Sequence, residues 1–132
     1  MQMKLELVPI PVADVERARA FYVDKLGWVV DHNTKIGDTI HMIQLTPPSS
    51  ACSILISRGL PGIDDMQTGS LRALHLVVAD VAKAREWVIS RGIEVDPITD
   101  HGRGVKDAHF RDPDGNTWVL QEMSWRSADF TE

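Results

Sequence analysis

One tetrapeptide occurs twice in this chain: Val12-Ala13-Asp14-Val15 recurs unchanged as Val78-Ala79-Asp80-Val81, 66 residues later. The same offset carries Ala18-Arg19 onto Ala84-Arg85 and Phe21 onto Trp87, and Gly27 matches Gly92 at an offset of 65. An apolar run precedes each copy, Leu7 to Val12 in the first and Leu74 to Val78 in the second. Two copies within 132 residues describe an internally duplicated domain, because a solenoid needs three or more repeats. Two related halves also create a seam, and seams between packed units are favoured places for small-molecule sites.

The bulk composition fits one globular domain that buries roughly 65–70% of its unfolded surface. Fourteen basic and nineteen acidic residues give a net charge of −5, spread along the chain. Nucleic acid and anionic membrane are therefore not expected partners, since both require a basic patch. Cys52 is alone, so neither an internal disulfide nor a paired-cysteine redox or zinc motif is available. No apolar run has the length of a membrane span, and the N-terminus lacks a leader-like stretch, so a cytoplasmic protein is expected.

Each copy opens with a strand. Val8, Ile10 and Val12 share one face and Leu7, Pro9 and Pro11 the other, by the two-residue period; Leu74, Leu76 and Val78 match the first set, and Ala73, His75 and Val77 the second. Pro9 and Pro11 remove donors along one edge, which places strand one at an edge or a seam. Asp14 and Asp80 then cap helices over residues 15–25 and 81–91. The apolar stripes are Val15, Ala18, Phe21, Tyr22 and Leu26, and Val81, Ala84, Trp87 and Val88, with Gly27 and Gly92 as terminators. Three strands are predicted after each helix: 28–31, 39–45 and 52–57, then 94–98, 105–110 and 117–122. Asp112-Pro113-Asp114-Gly115-Asn116 makes the last two a hairpin, and residues 58–70 read as the connector.

This pattern resembles the vicinal oxygen chelate superfamily, the glyoxalase, bleomycin-resistance and extradiol-dioxygenase group. The match is carried by the segment from Val12 to Tyr22 with Leu26-Gly27, and by the stretch from Phe110 to Glu122. The resemblance implies an α+β fold: two tandem βαβββ modules forming an open, curved, eight-stranded barrel-like sheet with helices on its convex face. Residues 1–132 would form a single such domain, with modules at about 1–60 and 70–124. It also implies a homodimer. Val8, Ile10, Val12, Leu74, Leu76, Val78, Trp118 and Leu120 would then lie under the helices. The ligand-lining set would be Leu7, Pro9, Ala73, His75, Val119 and Gln121, on the concave side.

Metal-using members of this superfamily hold a divalent ion with His, Gln or Glu side chains on that concave face. The matching positions here are Leu7, Ala73 and Val119, with Ile54 the best match for the fourth. None can donate a lone pair, and a catalytic divalent ion normally takes three protein ligands. No metal and no other cofactor is therefore expected. His32, His41, His101 and His109 read as isolated surface or structural histidines, and Gly102-Arg103-Gly104 as a mobile lid.

Three functions stay open at this level. The first is a metal-independent protein, similar to the bleomycin-resistance branch, that binds a small, largely apolar or aromatic molecule. The second is a metal-independent isomerase, cyclase or lyase in which His75 serves as acid or base and Gln121 orients a carbonyl. The third is a metal-dependent lyase or dioxygenase, against which the ligand positions weigh.

Overall fold

The computed structural model describes residues 1–130; positions 131 and 132, the end of the expected domain, lie outside that range. Local chemistry repeats as the tetrapeptide does. Asp14 and Asp80 are extended, at φ −135° and −145°, and each carboxylate accepts at 3.1 Å from the backbone N–H three residues on, Arg17 and Lys83. These are N-caps, and they start α1 (Val15–Arg19) and α2 (Val81–Ser90).

The order is β1 (Leu7–Pro9), α1, β2 (Val29–Ile36), β3 (Ile40–Thr46), β4 (Ser53–Arg58), then β5 (Leu74–Val77), α2, β6 (Thr99–Gly102), β7 (Val105–Arg111) and β8 (Thr117–Met123). Each βαβββ module contributes one four-stranded mixed sheet, ordered β1-β4-β3-β2 and β5-β8-β7-β6. The first strand of each module runs parallel to its last, and the other neighbours are antiparallel. β1 lies at an edge, where Pro9 costs the ladder nothing. The chain divides into two compact units, residues 1–71 with 113–116, and the remaining described residues.

In the first unit α1 packs on β3 and β4. Register aligns Val8, Ile54 and Leu45 in one row and Ile56 with Ile43 in the next, and those β3 and β4 side chains are buried. The expected helix over 15–25 changes hand-hold midway: Ala20–Lys25 is π-helical, with Leu26 N–H donating to the Phe21 carbonyl at 3.2 Å. The wider turn lets the adjacent Phe21 and Tyr22 both enter the core, their rings edge to face at 5.1 Å, while Trp28 lies 5.0 Å beyond Tyr22.

In the second unit α2 packs on β7 and β8 through Val81 and Val88. Beneath it Phe110 and Trp118 stack at 6.4 Å, with Ala108 and Leu120 in the next row. Trp87, expected in the α2 stripe by analogy with Phe21, is instead 49% exposed, with the Arg91 guanidinium over its ring. α2 has no π-turn, so position 87 rotates away from the sheet.

Two further expectations are corrected. Residues 94–98 do not form a strand; only Val95 bridges to Phe110, and Pro97 cannot donate to a ladder, so β6 begins at Thr99. Gly102-Arg103-Gly104 is the turn joining β6 to β7 rather than a lid, with three consecutive positive φ angles of 79°, 56° and 79°. No helix among the described residues is long and apolar enough to cross a membrane.

Candidate functional site

With one face of each sheet under its helix, the opposite face carries the expected site residues. Each sheet is built on the same grid. In the first, Pro9 pairs with Leu55 and Leu55 with Gln44; in the second, His75 pairs with Val119 and Val119 with His109. Leu55, not Ile54, is therefore the counterpart of Val119. Ile54 pairs with Val8 on the helix side, which corrects its expected place as a ligand position. Leucine offers a metal no more than isoleucine does. Among the described residues no group of three or more His, Cys, Asp and Glu side chains is placed to hold a metal ion.

The helix-free face of the first sheet is more polar than expected. Leu7 and Pro9 are half-buried there beside a run of hydrogen-bonded side chains. Gln44 Nε2 donates to Glu6 Oε2 at 3.0 Å. The Thr46 hydroxyl donates to the Asp31 carboxylate, so the Ser53 hydroxyl, 2.6 Å from Thr46 Oγ1, donates in turn.

On the second sheet His75 is exposed, Gln121 half-buried and Val119 buried at 1%. Val119 thus forms a floor between two imidazoles on the strands either side, His75 and His109, about 10 Å apart by two strand spacings. Ala73 is exposed just before β5 and takes a positive φ of 58°. Its N–H donates to Thr117 Oγ1 at 2.7 Å, and its carbonyl accepts from His75 Nδ1 at 2.6 Å. A carbonyl only accepts, so Nδ1 carries the hydrogen, and Nε2 of the neutral ring is left as acceptor or base. The left-handed backbone at Ala73 aims that carbonyl, a strained arrangement of the kind that collects at functional sites.

The next row brings in residues that sequence reading left out. Gln121 pairs with Asp107, and Asp107 with Thr99. Asp107 is 9% exposed, and its Oδ2 lies 2.9 Å from His101 Nε2. Its Oδ1 is shielded from solvent without a hydrogen bond, and His109 Nε2 stands 3.6 Å away, too far to make one. The Gln121 amide likewise has no side-chain partner among the described residues. His101 and His109, expected to stand alone, share one carboxylate. Alternation of Asp107 and His109 along β7, together with the hairpin turn, was the available signal.

The chain is similar to known proteins over most of its length. Residues 4–120 match the family model described as the glyoxalase/bleomycin resistance protein/dioxygenase superfamily. The uncharacterized protein YwkD of Bacillus subtilis (strain 168) is 32% identical over 122 residues, covering 88% of this chain and 94% of its own. The crystal structure of TnmS3, an antibiotic binding protein from Streptomyces sp. CB03234, superposes with a TM-score of 0.75 at 30% identity, covering 90% of this chain and 94% of that one. A glyoxalase/bleomycin resistance protein from the same Streptomyces gives 0.73 at 32% identity, over 89% and 98%. The chain belongs to the glyoxalase/bleomycin resistance protein/dioxygenase superfamily.

Proposed function

We propose that this protein binds a small, largely apolar or aromatic organic molecule without the help of a metal, using the helix-free faces of its sheets. The observation that carries the reading is the pair His75 and Gln121: polar, accessible, and flanking a buried valine, with His75 Nε2 and the Gln121 amide available to a ligand. Leu7, Pro9 and Ala73 add apolar surface to those faces. A similar protein at 30% identity is an antibiotic binding protein, which supports a small-molecule guest. The proposal takes a cytoplasmic homodimer as the working unit, which light scattering checks in its oligomeric part.

The test is a thermal-shift screen of polycyclic aromatic antibiotics, run with and without EDTA, beside elemental analysis of untagged protein. A ligand at one hundred times its Kd adds about 2.7 kcal/mol of stability. The shift is expected to persist in EDTA and to shrink in His75→Ala and Gln121→Ala. One tightly held ion per chain, or a shift abolished by EDTA, overturns the metal-free reading.

A second reading is favoured by the hydrogen placed on His75 Nδ1: a metal-independent isomerase, cyclase or lyase with Nε2 as base. Incubating a screened ligand with the protein and following product by mass and NMR separates the two. Conversion lost in His75→Ala supports the enzyme, and unchanged ligand supports the binder.

A further inference from the structure

We infer that Asp107 determines ligand specificity: its Oδ1 accepts a hydrogen bond from a hydroxyl or amine on the ligand's ring, and His109 is a movable cover over that oxygen. The inference rests on the proposed binding function and adds the ligand's chemistry to it. A carboxylate oxygen buried without a donor is costly, and such groups call for a specific explanation. The fold does not demand this one. Asp107 pairs with Gln121 as Met42 pairs with Ser57, so the equivalent place in the first sheet is filled by an apolar side chain.

The surroundings leave this oxygen for a guest. His101 Nε2 lies 2.9 Å from Oδ2, and His109 Nε2 lies 3.6 Å from the buried Oδ1. The His109 side chain is 46% exposed, and no hydrogen bond ties it to a described residue, so it can change rotamer beside Oδ1, which is the movement the inference requires. Directly across the ladder the Gln121 amide brings one acceptor and two donors. A ring with a hydroxyl or amine then gives its hydrogen to Asp107 and accepts from Gln121. A ring whose only polar group is an ether leaves Oδ1 unmatched.

The experiment uses the full chain and two matched probes, phenol and anisole, followed by amide chemical-shift titration at millimolar concentration. Phenol is expected to shift residues around Asp107, His109 and Gln121, with anisole about tenfold weaker. Asp107→Leu, which removes the acceptor at similar volume, is expected to abolish the preference, and His109→Ala, which removes the cover, to tighten phenol while leaving anisole unchanged. Dispersed spectra establish that each variant is folded, and His109→Ala keeps the question open to test if Asp107→Leu is not. Equal binding of both probes, a preference that survives in Asp107→Leu, or no gain in His109→Ala overturns the inference while the binding function stands. Binding of neither probe overturns both.

Discussion

His75 and Ala73 are joined by a 2.6 Å hydrogen bond from imidazole Nδ1 to backbone carbonyl, made possible because Ala73 adopts a φ of 58°. A residue with a Cβ carries a penalty of roughly 1–2 kcal/mol in that region. The strain is tied directly to the side chain proposed to meet the ligand, so the two can be separated by mutation.

Ala73→Gly relieves the steric penalty but adds the unfolded-state entropy of glycine, about 0.5–1 kcal/mol. The balance is a stabilisation between zero and about 1.5 kcal/mol, or up to ~5–7 °C in Tm. Ligand affinity is expected to hold, because glycine keeps the carbonyl aimed at His75. Ala73→Val is expected to lower both Tm and affinity, since a β-branched side chain resists this backbone. Calorimetric melting with a titration on each variant reads the two effects apart.

Phe21 and Trp87 occupy the same place in the repeat yet differ in burial, 6% against 49% exposed. Phe21→Ala removes a packed ring beside Tyr22 and is expected to cost about 3–5 kcal/mol. Trp87→Ala gives up a half-exposed ring and its contact with Arg91, and is expected to cost about 1 kcal/mol. Urea unfolding of the two variants checks the contrast, and equal losses would mean that Trp87 is covered in solution.

That pair also shows where sequence reading stops. Caps, terminators, the strand-helix-strand succession and the helix-facing rows are local or periodic, so Asp14, Asp80, Gly27, Gly92 and the Leu74–Trp118 row were legible. The π-turn was not, because only the competition of Phe21 and Tyr22 for one core reveals it. Asp107 was within reach: a hairpin centred on Asp114 pairs residues placed symmetrically about it, which sets Asp107 against Gln121 and His109 against Val119. Read singly, each histidine looked isolated. The 2.9 Å approach of His101 to Asp107 depends on a hairpin turn that read as a lid.

Asp114 anchors the first unit through a nearly buried carboxylate. Its Oδ1 accepts from Arg17 Nη2 at 2.6 Å and from the Ala13 N–H at 3.2 Å, with side-chain exposures of 2% for Asp114 and 52% for Arg17. Asp114→Ala withdraws the acceptor from both donors and is expected to cost about 2–3 kcal/mol. Arg17→Ala admits water to the carboxylate from the open side, so roughly 1 kcal/mol is expected. Chemical denaturation of both variants should therefore rank Asp114 above Arg17, and the reverse order would show that the carboxylate stays dry without its partner.

Gly69 is the sharpest steric test of the same region. A Cβ added there would lie 1.9 Å from the backbone oxygen of Asp114, whereas one added at Gly27 meets nothing within 4 Å. Both glycines have positive φ, 71° and 73°, so the backbone penalty of about 1 kcal/mol is common to the two alanine variants. The difference between them therefore isolates the clash. Backbone cannot swing aside as a flexible side chain can, and Gly69 N–H also donates to the Pro11 carbonyl at 3.0 Å, which fixes it in place. Gly27→Ala is expected to lose about 1 kcal/mol, and Gly69→Ala at least ~3 kcal/mol or its soluble expression altogether. Equal stability of the two variants by denaturant melting would show that the turn at Asp114 does not close on Gly69.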